Sequence, residues 1–169
     1  MVGLLLGDDV LLWGASWLER KPKQIHSWHS DIKSSAPQGG FVSVWIGIEN
    51  TSREAALQLV RGSHRIGKTI QQVAHEHGFR RGEADPATVL EWARETISSA
   101  EVVQPDMSNG DALIFDGRLW HGSENTRSEG TRTALLFQYA TAGKCIRAPD
   151  LDRVEWPFGK SACAYRFLW

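Results

Sequence analysis

An all-β core with added helices, folded as a double-sheet jelly roll, is the architecture this sequence predicts. Three observations carry the expectation. About eight short apolar stretches recur with turn-forming residues between them. One of them, Phe41 to Glu49, alternates apolar and small residues with a period of two. A single sizeable helical pattern, at 84–98, interrupts the series.

Composition agrees with one domain over residues 1–169, since 41% hydrophobic residues suffice for a sizeable core at this length. The net charge of -1 lacks the basic footprint of a nucleic-acid or anionic-membrane partner. No apolar run approaches the ~20 residues of a spanning helix. The opening Val2-Gly3-Leu4-Leu5-Leu6 has no basic flank and meets Asp8-Asp9 at once, unlike a signal peptide. Cys145 and Cys163 show no CxxC spacing, so free thiols in a reducing, cytoplasmic setting are expected. The eight Trp residues read mainly as core.

In chain order, residues 10–19 are rich in apolar and aromatic residues and read as a buried strand, ended by Lys21-Pro22-Lys23. A short strand from Ile25 to Asp31 places Ser27, His29 and Asp31 on one face, with His26, Trp28 and Ser30 on the other. The run 34-SSAPQGG-40 is loop by composition. In the strand from Phe41 to Glu49, Val42, Val44, Ile46 and Ile48 form an apolar face. Ser43, Trp45 and Gly47 form the other, which suits a cavity wall. Ala56 to Val60 is a further strand. Asp85 as N-cap and Pro86 at the first helical position open the helix, a candidate lid. Strands resume at Val102-Val103, at Asp111 to Phe115 behind the Asn109-Gly110 turn, and at Thr131 to Tyr139. The tail holds Trp156, Phe158, Tyr165, Phe167 and Trp169 and is expected to pack back on the barrel.

Two positions apart on a strand, His29 and Asp31 point the same way. With His121 from a distant strand they would cap one side of a metal and leave the other open. Two imidazoles and one carboxylate in that arrangement favour non-haem Fe(II). Arg132 lies eleven residues beyond His121, at the start of a strand. If it points inward, its buried charge demands an anion, and its planar fork matches a carboxylate. Triad and clamp together describe an Fe(II) site with an organic-acid cosubstrate.

The pieces 28-WHSD-31, 44-VWIGIEN-50, 59-LVRGSHRIG-67 and 110-GDALIFDGRLWHGSENTRSEGTRTAL-135 resemble the phytanoyl-CoA dioxygenase family of Fe(II)/2-oxoglutarate-dependent oxygenases. They occur in the family's order and span most of the chain from about residue 10 to 140. The resemblance implies the double-stranded β-helix of cupin-like proteins. It implies iron held by His29, Asp31 and His121, with Arg132 and Ser123 on the distal carboxylate of 2-oxoglutarate and Trp45 lining that pocket. Oxidative decarboxylation of the cosubstrate with O2 would give succinate and CO2 and hydroxylate a small-molecule substrate. Halogenating relatives carry a small residue in place of the carboxylate, so Asp31 implies hydroxylation.

Two departures stand out. Arg61 occupies a position where a Pro commonly precedes Gly-Ser-His, and a solvated strand end is its favoured reading. The barrel also begins almost at once, where relatives carry a long N-terminal region. A fragment, a compact member, and a chain lacking part of its substrate pocket all fit that.

Asn125 reads equally as a family position and as a turn-stabilising side chain. His64 is expected to be structural, His75 and His77 exposed, Trp28 and Trp120 core, and Arg127 secondary to Arg132. Two other function classes stay open: a metal-binding cupin of another reaction class, and a non-catalytic barrel. Arg132 separates the first of these from the oxygenase, which alone needs a buried carboxylate clamp.

Overall fold

The computed structural model describes residues 1–32, 39–127 and 129–142. Among them run eight strands, β1 (Val10–Arg20), β2 (Ile25–His29), β3 (Phe41–Glu49), β4 (Leu57–Arg61), β5 (Glu101–Val103), β6 (Ala112–Asp116), β7 (His121–Glu124) and β8 (Arg132–Thr141). They pair antiparallel in two four-stranded sheets, ordered β1-β8-β3-β6 and β2-β7-β4-β5. The chain changes sheets at every connection except the one from β4 to β5. That is the double-sheet jelly roll expected from the spacing of strands and turns.

Alternation sorts the side chains. Trp45, Leu57, Leu59, Met107, Phe115 and Ala134 meet between the sheets, with Leu18, Leu113, Leu119 and Leu136 packed around them. On the other side of β4, Val60 joins Ile70, Val73, Val89, Trp92 and Trp120 in a second cluster. That cluster is where two helices, α2 (Ile70–Glu76) and α3 (Pro86–Arg94), cover the outer face of the second sheet. Each buried aliphatic side chain there contributes about 1.5–3 kcal/mol. A short α1 (Val2–Leu6) precedes β1. No helix among the described residues is long and apolar enough to cross a membrane.

Three expectations need correction. The first strand is not buried: none of its residues is fully covered, and Leu12 and Trp17 are 48% and 60% exposed. It lies at the edge of its sheet, so only its inward face finds a partner layer. Helix α3 starts as expected, with Asp85 accepting from the Thr88 amide at 2.8 Å, but it is no lid. Its Val89, Trp92 and Ala93 bury against the outer face of the sheet, away from the interior. Helix α2 is not among the expected elements. Its signal is the Thr69-x-x-Gln72 capping box, in which the Gln72 amide donates to Thr69 and Gln72 accepts from the Thr69 amide.

The expectations for most of the 34–40 loop, for Cys145 and Cys163, and for the aromatic tail (Trp156, Phe158, Tyr165, Phe167, Trp169) lie outside the described residues.

Candidate metal and carboxylate site

His29 and His121 are direct partners in the ladder between β2 and β7, so their rings stand side by side, centroids 4.1 Å apart. Asp31 lies just past the end of β2 rather than on it. The chain bends there, and two contacts hold the bend. The Ile32 amide donates to the Gly117 carbonyl at 3.1 Å. Gln71 of α2 brackets Ser30, accepting from its amide and donating to its carbonyl, both at 3.1 Å. The bend still delivers the expected convergence. Asp31 Oδ1 is 3.5 Å from His29 Nε2 and 3.6 Å from His121 Nε2, and the three ligand atoms lie within 4.8 Å of one another.

The protons on these groups are set by their other contacts. His29 Nδ1 sits 2.9 Å from the Ser27 carbonyl, and His121 Nδ1 2.9 Å from the Leu119 carbonyl. A carbonyl oxygen only accepts, so each Nδ1 carries the hydrogen and each Nε2 turns a lone pair toward Asp31. Ser43 donates its hydroxyl to Asp31 Oδ2, which leaves Oδ1 for the centre. Burial alone would raise the Asp31 pKa. The neighbouring imidazoles of His29 and His121 and the Ser43 hydroxyl outweigh it and hold the carboxyl at about 2. Burial, then the neighbouring His29, lowers His121 to about 4. At neutral pH an ionised carboxylate and a neutral imidazole are therefore in place, as a divalent metal requires. The donor set fits a ferrous ion.

Arg132, the first residue of β8, is 1% exposed. Its Nη1 donates to the Ala55 carbonyl at 3.1 Å and its Nη2 to Ser123 Oγ at 3.5 Å, while its guanidinium lies 5.4 Å from the Trp45 ring centre. No carboxylate among the described residues pairs with it. Burial, with Arg20 nearby, lowers its pKa to about 10, so it is charged at neutral pH. His121 and Ser123 share one face of β7, as Ser43 and Trp45 share one face of β3. Each inner face thus carries one residue toward the triad and one toward the arginine.

Gly122, between His121 and Ser123, has a packing reason. A Cβ there would lie 3.2 Å from the His26 carbonyl and 3.2 Å from the Trp28 ring. Trp28 and Trp120 belong to the outer cluster, as expected. Asn125 is a structural residue, donating to the Arg20 and Gly130 carbonyls at 2.9 and 3.0 Å. Arg127 turns to Ser52 rather than into the cavity. Arg61 is a solvated strand end paired with Glu101 at 3.0 Å. His64 stays out of the triad, in the turn Ser63–Arg65. His75 and His77 are exposed, His77 stacking on Trp92.

His26 departs from its expected place. On a regular strand it would face away from His29. The ladder slips between His26 and His29, and the two rings meet edge to face, 4.4 Å apart. A β-bulge of this kind adds a residue and flips the alternation beyond it.

Residues 13–134 match a family described as phytanoyl-CoA dioxygenase (PhyH). Ectoine dioxygenase of Sphingopyxis alaskensis is 27% identical over 173 residues, which cover 92% of this chain and 52% of that protein. The chain thus spans about half the length of this curated relative. Among solved structures, EctD from S. alaskensis with 2-oxoglutarate and 5-hydroxyectoine matches with a TM-score of 0.58 at 23% identity, over 82% of this chain and 47% of that one. HygX from Streptomyces hygroscopicus with nickel and 2-oxoglutarate bound matches with a TM-score of 0.60 at 15% identity, over 84% and 60%. At these identities the solved structures speak to the fold, and it is the same jelly roll.

Proposed function

This chain belongs to the phytanoyl-CoA dioxygenase family, and from that premise we propose that it is an Fe(II)- and 2-oxoglutarate-dependent dioxygenase. It hydroxylates a small organic molecule and releases succinate and CO2. The observation that carries the reading is Arg132, a fully buried cation with no carboxylate partner among the described residues, set in the same interior as three converging electron-pair donors. A buried charge left unpaired is costly, so the pocket is built for an anion that arrives from outside.

His29, Asp31 and His121 would hold the metal. Bound there, a ferrous ion and 2-oxoglutarate supply the oxidising chemistry that inserts oxygen from O2 into a C–H bond. Arg132 and Ser123 take the distal carboxylate and so fix the cosubstrate's orientation. Trp45 forms a flat apolar wall under the guanidinium and helps keep water out. Asp31 keeps a carboxylate where halogenating relatives have none, which supports hydroxylation over halogenation. A small-molecule substrate agrees with the relative named for ectoine.

Anaerobic titration of the protein with Fe(II) and then 2-oxoglutarate tests this. The expected result is the weak visible charge-transfer band of the chelate. Iron-loaded protein that gave no band would reject the cosubstrate and leave a metal-binding barrel of another class. A panel of candidate small molecules, scored by coupled succinate formation, then identifies the substrate.

A further inference from the structure

Arg20 and Arg132 are direct partners in the ladder between β1 and β8. Opposite residues of an antiparallel pair project to the same side of the sheet, and like charges in that position repel. The side is the interior, because Leu18, two residues before Arg20, packs beside Trp45. In the facing sheet, His26 and Ser123 are likewise direct partners. Two side-chain contacts join the pairs across the gap: Arg20 Nη2 to His26 Nδ1 at 2.7 Å and Arg132 Nη2 to Ser123 Oγ at 3.5 Å.

These four residues close a frame, with a ladder pair on each sheet and a hydrogen bond at each end. An arginine only donates, so His26 Nδ1 accepts, and the imidazole orients Arg20 without neutralising it. Each guanidinium also keeps a buried Nε–H with no partner. Among the described residues no carboxylate pairs with either one. Two cations are thus held side by side against their repulsion, with donors to spare.

We propose that Arg20 is a second binding residue for the distal carboxylate of the cosubstrate, with His26 as its positioning residue. Together with Arg132 it makes the pocket selective for a 2-oxo acid that carries a second carboxylate. This rests on the reading of Arg132 given above. A carboxylate offers about four acceptor sites, enough for two guanidiniums and the Ser123 hydroxyl. The slipped ladder in β2 has a use here, since it turns His26 inward to reach Arg20.

The test compares wild type with Arg20→Gln, both loaded with Fe(II) under anaerobic conditions and titrated with 2-oxoglutarate and with 2-oxobutanoate, which lacks the distal carboxylate. Arg20→Gln raises the 2-oxoglutarate Kd about tenfold or more, the usual cost of one charge-assisted contact. It leaves 2-oxobutanoate binding unchanged. Arg20→Lys and His26→Leu give smaller losses of the same kind, since each spoils the fork's placement and keeps a cation. Removing one of two repelling charges also keeps or raises the thermal midpoint of Arg20→Gln without cosubstrate, whereas loss of a merely structural contact would lower it.

Unchanged 2-oxoglutarate affinity, or equal weakening toward both acids, overturns the proposal. If Arg132→Gln abolishes binding and Arg20→Gln does not, this inference alone fails. If wild type binds no 2-oxoglutarate, the reading of Arg132 fails first.

Discussion

Asp31 divides its two oxygens between two tasks, Oδ2 taking the Ser43 hydroxyl and Oδ1 facing both imidazoles. One short side chain therefore links β3 to the pair of histidines on β2 and β7. In Asp31→Ala the iron affinity falls by at least ~100-fold, beyond what loss of an outer-shell partner costs. Succinate formation stops with it. Iron retained after dialysis, and succinate measured at saturating 2-oxoglutarate, check both parts; turnover at the wild-type rate would remove Asp31 from the ligand set. Spacing alone made His29 and Asp31 legible as a pair. It did not show that the strand ends between them, because a bend and a strand can bring the same two groups together.

At the scale of elements, α2 matters more to the site than its sequence suggested. Gln71 clamps the Ser30 peptide from both sides, and Ser30 is the link between two of the proposed ligands, His29 and Asp31. Gln71→Ala frees that bend, and metal affinity drops about tenfold, as for other supporting contacts around a metal. Metal titration of a variant with an unaltered circular dichroism spectrum reads this directly. No change in affinity would reduce α2 to a packing element. The outer cluster sets the energetic scale for the same sheet. Trp120 is fully buried and donates from Nε1 to the Lys68 carbonyl at 3.0 Å. Trp120→Ala costs about 3–5 kcal/mol in urea unfolding. A loss below 1 kcal/mol would mean that the helices and the sheet are not coupled through it. Helix α3 was legible from its cap and apolar spacing. The place it packs was not, because amphipathicity says that a face is buried and never against what.

Across the whole molecule, two sheets press imidazoles and guanidiniums into one interior, and pH dependence follows. Burial first, then His29, Arg20, His121 and Arg81, lower His26 to about 3, while His121 is lowered to about 4, both from an ordinary 6.5. Between 6.5 and those values the unfolded chain takes up protons that the folded chain does not. The contribution to stability is full above pH 6.5 and is lost as pH falls toward 4 and 3. Metal-free protein therefore melts at progressively lower temperature from pH 7 to pH 5, and the drop is smaller in His26→Leu. Melting curves that coincide across that range would show that these imidazoles are not buried in neutral form.

Residue order alone determined the strand count, the turns between strands, the triad His29, Asp31 and His121 as candidates, and Arg132 as their companion. These follow from local periodicity and from the chemistry that each residue type can perform. Tertiary structure decided which strand lies at the edge, where the helices dock, and which way His26 faces. Those outcomes depend on ladder register and on the layer that covers each face, and neither is a property of a short stretch of chain. The pairing of Arg20 with Arg132 belongs to the same class. Two residues 112 positions apart in the sequence become neighbours only through the register of β1 on β8.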